Sequence, residues 1–272
     1  MGANLNPLPR QRRRPADASP RAPADGPLRA WFDEASAPRA DAIEIDWYVA
    51  RLPRGAGAVL QALAGHGRLL IPLLEVGLPV HGVDSSAACL ARCAARLEAG
   101  GQRAELFRQD VTALNLPFRY AAAFFAAGAF QRLADRARAL DALLRIRAHL
   151  IEPGLLLLDL FVPDEAAHPP GAPVVELRTL PLPDGSQIAR RSEAVIDATA
   201  RRSTVRSRFE RRRGASVTAR EDEVCESTWY TEGEVVELVA DAGYRDVRCE
   251  ALPSFPRPDS PPARHFALLA RA

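Results

Sequence analysis

The feature that most constrains the fold of this chain is a series of short, continuously apolar segments that alternate with segments of helical spacing. The clearest of them, residues 155–161 (LLLLDLF), follows the turn Glu152-Pro153-Gly154. Strands that are apolar on both faces indicate a parallel sheet covered by helices on each side, a doubly wound α/β fold. The predicted strands of this sheet are 57–63, 78–84, 103–110, 121–127 and 155–161.

The predicted helices lie before and between these strands. Two precede the first strand, at about 31–35 and 41–52, and a third, RLLIPLLEV, follows it. Residues 86–99 form the next helix, which is expected to end at Gly100-Gly101 because glycine favours helix termination. Apolar residues at helical spacing indicate the helix before the fifth strand: Leu133, Ala137, Leu140, Leu144 and Ala148.

After residue 162 the pattern changes from continuous to alternating. Between 174 and 228 apolar and charged residues alternate with period two, and turn signals at Asp184-Gly185 and Arg213-Gly214 help divide this segment into about four antiparallel strands. A capping box of Thr231 and Glu234 then predicts a helix. Strand-like segments near 246–250 and 265–269 complete a mostly parallel sheet of seven strands.

These patterns divide the chain into four parts. The expected parts are a disordered Pro- and Arg-rich tail (1–27), an α/β core (28–162), an antiparallel β insertion (163–230), and a C-terminal helix with the last two strands of the core (231–272). The arginines of the tail precede Pro15, Ala16 and Asp17 rather than an apolar stretch, which argues against a signal peptide.

Composition excludes several classes of protein. With 36 basic and 34 acidic residues the net charge is +2, which gives no sign of nucleic-acid or membrane-surface binding. No apolar run reaches the roughly 18–20 residues that span a bilayer. Cys89 and Cys93 lie four apart on a predicted helix and Cys225 and Cys249 stand alone, a spacing that offers no zinc site. The expectation is a cytoplasmic protein with reduced thiols and no metal.

Three consecutive strand ends carry residues typical of a nucleoside site. Ligands of doubly wound sheets bind beyond the carboxyl ends of the strands, near the point where strand order reverses. The first strand is followed by Gly65 and Gly67, which let backbone N–H groups approach a ligand. The second ends at Asp84, which can accept ribose hydroxyls, and the third at Asp110, which can receive an adenine amino group. The alternatives are a tight turn for the glycines, a helix N-cap for Asp84 and a solvated loop acid for Asp110.

With these residues in place, the sequence resembles the class I S-adenosylmethionine-dependent methyltransferases. It is most similar to the small-molecule branch, which carries an antiparallel insertion after the fifth strand. Residues 59–68 (VLQALAGHGR) stand where the family reads approximately V-L-E/D-L-G-C-G-T-G-R. The segments HGVDSS and RQDV match the ribose and adenine positions. The resemblance implies S-adenosylmethionine as cofactor and the following cofactor-binding residues: Tyr48, Gly65, Gly67, Asp84, Ser85, Asp110 and Val111.

The resemblance also assigns the methyl and substrate end of the site. Tyr48 stands where the family often has an aromatic residue near the methionine end of the cofactor. Arg132 lies in the loop that faces the methyl group, and Tyr230 lies near the substrate mouth. No catalytic residue is singled out, since methyl transfer chiefly requires orientation of donor and acceptor. Candidates for a base are Tyr48, Arg132, His149 and Tyr230, whereas His66 lies too near the cofactor loop.

The sequence departs from the family pattern at four positions. Gln61 replaces an acid, Leu63 the first glycine, Ala121 an aspartate and Arg132 a common histidine. The leading function is methylation of a small-molecule acceptor, and the alternative is a degenerate methyltransferase fold that acts as a binding or scaffold subunit. A nicotinamide-dependent oxidoreductase is disfavoured because Leu70 stands at its third glycine. The insertion is expected to cover the substrate or to form a homodimer contact, and neither nucleic acid nor membrane is expected as a partner.

Overall fold

Helices and strands follow one another in the predicted order. The structure, a computed structural model, describes residues 26–37, 39–164, 173–253 and 263–272. The strands are β1 (Val59–Ala62), β2 (Val80–Asp84), β3 (Leu106–Arg108), β4 (Tyr120–Phe125), β5 (Leu150–Pro163), β6 (Val174–Pro181), β7 (Gln187–Asp197), β8 (Arg202–Arg213), β9 (Ser216–Thr228), β10 (Arg245–Ala251) and β11 (Ala263–Arg271). The helices are α1 (Pro27–Ser36), α2 (Ala42–Val49), α3 (Leu70–Glu75), α4 (Ala87–Ala99), α5 (Arg136–Ala148) and α6 (Glu232–Asp241).

Seven strands form a mostly parallel sheet in the order β10-β11-β5-β4-β1-β2-β3, with β11 antiparallel to both of its neighbours. Strand order reverses beside β1, where Val59 lies opposite Val80 of β2 on one side and Ala122 of β4 on the other. The carboxyl ends of β1, β2 and β4 therefore meet at one edge of the sheet, called the carboxyl edge below. The doubly wound, seven-stranded fold class is confirmed.

Alternate residues of the central strands serve the two faces of this sheet. Leu60 and Phe125 pack in a core with α5 and α6, here called the α5 face. Val59 and Phe124 pack in a second core with α2, α3 and α4, here called the α3 face. Full burial of each such side chain contributes about 1.5–3 kcal/mol, so the two cores fix the strand positions.

Some predicted boundaries were wrong. The third strand was expected over 103–110, but β3 is shorter because Asp110 accepts a hydrogen bond from Thr112 N and starts a 3-10 turn, Val111–Ala113. The tail was expected to reach residue 27, but Pro27 already begins α1. Residues 1–25 of that tail lie outside the described residues.

A second sheet contains the four antiparallel strands β6-β7-β8-β9 in sequential order. The turns at Asp184-Gly185 and Arg213-Gly214 are confirmed. The turn between β7 and β8 contains no glycine and places Arg201 at φ 50°, so no turn signal marks it in the sequence. Helix α6 begins with the predicted capping box of Thr231 and Glu234.

Helix α1 connects the second sheet to the core. Its Phe32 is fully buried against Phe209 of β8, with ring centroids 5.6 Å apart. On its other side, Trp31 lies 4.9 Å from the guanidinium of Arg92 on α4. The second sheet is thereby held beside the carboxyl edge. Among the described residues, no helix combines the length and hydropathy that crossing a membrane requires.

Candidate functional site

The loop after β1 follows a left-handed backbone path. Leu63, Gly65 and Gly67 have φ values of 54°, 57° and 77°. A Cβ on Gly67 would lie 2.5 Å from Cys93 Sγ, so packing requires this glycine. A Cβ on Gly65 would meet nothing within 4 Å, so this glycine leaves an open face at the carboxyl edge. Leu63 adopts the glycine-like conformation at a cost of about 1–2 kcal/mol, and its half-buried side chain packs against the core of the α5 face.

Asp84 ends β2 and binds the same loop. Its Oδ2 accepts a hydrogen bond from Gly65 N at 2.8 Å, and its Oδ1 accepts one from Ser86 N at 2.9 Å. Ser86 caps α4 by accepting from Cys89 N at 3.1 Å, so the N-cap alternative for Asp84 is wrong. Each Asp84 oxygen retains a second lone pair for a ligand donor. Ser85, half-buried, lies at the same edge.

Asp110 is the most solvent-exposed of the predicted cofactor residues at the strand ends. Its Oδ1 accepts from Thr112 N at 2.9 Å and from Thr112 Oγ1 at 2.8 Å, and its Oδ2 accepts from Arg138 at 3.0 Å. Although burial opposes the shift, these donors lower the pKa of the carboxyl group. Val111 is buried in the core, so its side chain is structural.

Tyr48 is anchored by a buried carboxylate that sequence reasoning missed. The Tyr48 hydroxyl donates to Asp159 Oδ2 at 3.0 Å, and Ala127 N donates to the same oxygen at 2.8 Å. Tyr48 and Asp159 are both fully buried. The sequence does contain a signal for this residue, because Asp159 is the single acid in the apolar segment LLLLDLF. A buried carboxylate requires hydrogen-bond donors, so an acid at such a position indicates a buried polar contact.

A buried ion pair joins α2 to the loop after β1 and was also missed. Arg68 donates to Glu44 through two hydrogen bonds, of 2.7 Å and 2.5 Å. Glu44 is 1% exposed. Burial alone would lower the pKa of Arg68, but the hydrogen bonds and the charge of Glu44 raise it. The pair fixes α2, and with it Tyr48, against the glycine loop.

Gln61 places an amide oxygen beneath the carboxyl edge. Its side chain lies on the α3 face beside Phe124, whose ring packs 5.3 Å from that of Tyr48. Its Oε1 is buried, and no donor among the described residues reaches it. An unpaired buried oxygen costs about 1–3 kcal/mol, so this atom indicates a place for a ligand donor.

A 3-10 turn after β4, Ala129–Arg132, carries Arg132 to the carboxyl edge. Gly128 opens the turn with φ 69°, and a Cβ there would lie 2.5 Å from the Phe161 ring. Gln131 holds the turn in place, donating to Phe161 O at 2.8 Å and accepting from Phe161 N at 2.9 Å. It also donates to Thr228 O of β9 at 3.3 Å. The side chain of Arg132 is exposed.

Tyr230 packs on the same turn just before α6. Its ring lies 6.2 Å from Phe130, and its hydroxyl is buried with no hydrogen-bond partner among the described residues. Burial raises the pKa of the phenol to about 12, so it stays protonated at neutral pH. A cavity of about 250 Å³ opens beside it, next to Arg136. A larger cavity, of about 520 Å³, lies around His81 at the opposite edge of the sheet and is lined by none of the predicted site residues.

The two histidines considered from the sequence lie at opposite edges of the sheet. Arg96 donates to His66 O at 2.9 Å and lies 3.2 Å from its Nδ1. Burial, reinforced by Arg96, lowers the pKa of His66 to about 4, so the ring is neutral. His149 ends α5 at the amino edge, where its ring nitrogens contact Arg145 O at 2.8 Å and Leu116 N at 2.9 Å. His149 therefore takes no part in the site.

Solved methyltransferase structures share this fold. An S-adenosylmethionine-dependent methyltransferase from Clostridium acetobutylicum ATCC 824 matches with TM-score 0.65 and 14% identity, over 90% of this chain and 97% of that one. The sugar N-methyltransferase KedS8 from Streptoalloteichus sp ATCC 53650 matches with TM-score 0.63 and 20% identity, over 85% and 88%. The CcbJ methyltransferase from Streptomyces caelestis matches with TM-score 0.60 and 23% identity, over 96% and 93%. At these identities the likeness shows the fold.

Part of the sequence matches a family model directly. Residues 59–152, which contain the glycine loop, Asp84 and Asp110, match the family model described as a methyltransferase domain. This match spans about a third of the chain and supports the resemblance to the class I S-adenosylmethionine-dependent methyltransferases. No curated protein matches the sequence. The resemblance drawn from the strand-end residues is confirmed.

The residues at the carboxyl edge fit S-adenosylmethionine, the cofactor that the resemblance implies. The open face of Gly65 and the spare lone pairs of Asp84 suit a nucleoside, while the orphaned Oε1 of Gln61 suits the ammonium group of the methionine part. Two of the departures therefore leave the site intact, because Leu63 keeps the loop's backbone path and Gln61 keeps an acceptor. Ala121 lies at the amino end of β4, where its N–H bonds to Ala58 O, and is remote from the site.

Proposed function

We propose that this methyltransferase transfers a methyl group from S-adenosylmethionine to a small-molecule acceptor in the cleft between the carboxyl edge and the second sheet. The observation that carries the proposal is the contact of Asp84 with Gly65 N, which sets a carboxylate and an open glycine where strand order reverses. The bound cofactor supplies an electrophilic methyl group. The chain's own contribution is to orient the two reactants and to exclude water.

Each side chain has one task in this proposal. Asp84 accepts the ribose hydroxyls, and Asp110 receives the adenine amino group through the capacity that its Oδ2 retains. Gln61 Oε1 accepts from the ammonium group of the methionine part. Tyr48, held by Asp159, positions that part. The remaining cofactor contacts are backbone ones, from Gly65, Gly67, Ser85 and Val111.

The second sheet supplies the acceptor side of the cleft. Its strand β9 reaches the turn of Arg132 through the Gln131–Thr228 contact, and Tyr230 follows directly. In this proposal residues 163–230 cover the substrate, while 28–162 and 231–272 form the cofactor-binding unit. A small-molecule acceptor is supported by the likeness to KedS8, which is named as a sugar N-methyltransferase. Cytoplasmic location and homodimer formation stay predictions.

The test is calorimetric titration of the full chain with S-adenosylmethionine, S-adenosylhomocysteine and NADH. We expect micromolar dissociation constants for the first two ligands and no binding of NADH. Asp84→Ala should weaken S-adenosylhomocysteine binding by at least about tenfold, equivalent to ~1.4 kcal/mol. Asp222→Ala, on the outer face of the second sheet, is the matched control and should bind as the wild type does.

Two outcomes would contradict the proposal. A folded sample that binds neither sulfur ligand up to millimolar concentration would favour the degenerate scaffold instead. Normal binding by a folded Asp84→Ala variant would remove Asp84 from the site.

A further inference from the structure

The alternation of side chains along β9 shows which residues of the second sheet face α1. Glu221 lies opposite Phe209 of β8, and Phe209 packs on Phe32 of α1. Because alternate residues of a strand share one face, Glu223 and Cys225 lie on this same side. An acidic strip of β9 thus faces α1 and the carboxyl edge.

The acids around the cleft already have partners. Glu221 accepts a hydrogen bond from Arg29 N at 3.0 Å, at the start of α1. Glu223 and Asp33 both lie against the Arg29 guanidinium, at 3.2 Å and 3.1 Å. Asp84 is held by backbone N–H groups. Each of these carboxylates thus has a hydrogen-bond or ion-pair partner other than Arg132, although the charge of Arg132 also opposes the burial that raises the pKa of Glu223.

Arg132 ends the turn that follows β4 at the carboxyl edge, next to the contact of Gln131 with β9. In the described part of the chain, no hydrogen bond or ion pair reaches its guanidinium. The pKa of Arg132 is raised by Cys225 and also by Glu223, Asp33 and Asp84, although desolvation lowers it. Groups of the second sheet and of the carboxyl edge therefore both act on the Arg132 charge. The residue nevertheless remains exposed to solvent.

We propose that Arg132 binds an anionic group, a carboxylate or a phosphate, on the methyl acceptor. A guanidinium presents a planar fork of donors that matches two oxygens of either group. The rigid turn built by Gly128 and Gln131 fixes where that fork lies. The inference rests on the proposed function, because it names the class of acceptor that the same cleft takes.

The position of Arg132 favours the acceptor over the cofactor. Its turn packs through Phe130 into the core of the α5 face. Gln61 and Tyr48, which mark the methionine end, lie on the α3 face. The turn that carries Arg132 thus packs on the opposite face of the sheet from the methionine end, and it contacts β9 through Gln131 and Thr228.

The first test titrates acetate and inorganic phosphate separately into the protein saturated with S-adenosylhomocysteine. We expect dissociation constants on the order of 1–10 mM in the wild type, with the tighter ion identifying the preferred group. Arg132→Gln should weaken binding at least about fivefold and Arg132→Lys less, because an ammonium group keeps the charge but not the fork. Arg208→Gln, an exposed arginine on the outer face of the second sheet, should bind as the wild type does.

The second test measures formation of S-adenosylhomocysteine with matched acceptors, D-glucosamine against D-glucosamine 6-phosphate and tyramine against tyrosine. The anionic member of a productive pair should show a kcat/KM at least about tenfold higher, and Arg132→Gln should erase the difference by raising KM. If no pair is productive, the anion titration decides alone.

Three results would contradict either the role of Arg132 in anion binding or the proposed function. Equal anion binding by the wild type and Arg132→Gln overturns the inference. A change confined to the affinity for S-adenosylhomocysteine in Arg132→Gln also overturns it and assigns Arg132 to the cofactor. Failure of the wild type to bind S-adenosylhomocysteine would instead count against the proposed function itself.

Discussion

The two sheets of this protein are stabilised in different ways. In the seven-stranded sheet, side chains such as Phe124 on the α3 face and Leu158 on the α5 face are fully buried under helices. In the four-stranded sheet one face packs on α1, while the other is exposed, with Leu177 73% exposed and Arg208 paired to Asp222 at the surface. The proposed cofactor side of the site therefore rests on a rigid core, and the proposed acceptor side on a layer that contacts the core through α1 and through Gln131.

The largest difference between the stabilities of the two sheets is expected in the variant Phe32→Ala. Removing this fully buried ring from its contact with Phe209 should cost about 3–5 kcal/mol. Because the ring touches the second sheet, amide hydrogen exchange should accelerate in β8 and β9 and stay slow in β1 and β4. Leu177→Ala, at an exposed position of β6, is the control and should change neither. Equal acceleration in both sheets would show that they unfold as one unit.

A pair of glycine variants tests the core side of the comparison. Gly67→Ala should lose about 2–4 kcal/mol of unfolding free energy, because its Cβ meets Cys93 Sγ at a positive φ. Gly65→Ala meets open space and should lose only about 1–2 kcal/mol, from backbone strain. Urea unfolding measures both, and calorimetry should show the reverse order for S-adenosylhomocysteine binding when each folded variant is compared with wild type. Equal losses of stability would refute the packing role assigned to Gly67.

The neutral His66 predicts a pH dependence of the core. Its folded pKa of about 4 lies below the ordinary value of 6.5, so the unfolded chain binds a proton first as the pH falls. The stability contribution is complete above pH 6.5 and is lost between 6.5 and 4, by about 2–3 kcal/mol. Unfolding free energies at pH 7 and 4.5 should differ less in His66→Asn than in wild type. Identical slopes would mean that His66 is not buried as a neutral ring.

The smallest effect is expected on the outer face of the second sheet. Arg208→Gln breaks two hydrogen bonds to Asp222, at 2.7 Å and 3.1 Å, between side chains that are more than half exposed. Solvent screens such pairs, so thermal unfolding should report a loss below about 1 kcal/mol. A loss several times larger would mean that this face is covered in solution.

The fold could be predicted from the sequence because its signals are local. Continuous apolar segments such as 155–161 and the two-residue period of 174–228 each indicate a strand type directly, and Thr231 with Glu234 marks a helix start. The strand-end residues Gly65 and Asp84 could be paired for the same reason, since the topology brings consecutive strand ends together.

The parts that could not be predicted depend on distant partners. The bond from Leu28 N to Glu221 joins residues 193 positions apart, and no local pattern indicates that α1 would bind β9. Arg68 and Glu44 were missed because a buried ion pair looks in sequence like two surface charges. The left-handed conformation of Leu63 was missed because it runs against the residue's own preference and is imposed by the surrounding loop.

The most direct test of the account is amide hydrogen exchange of the full chain with and without S-adenosylhomocysteine. Binding at the carboxyl edge should slow exchange at residues 64–67, 84–86 and 110–112, and leave the outer strand β6 unchanged. Binding that protects other segments while these three strand ends exchange at the same rate would contradict the assignment of the site.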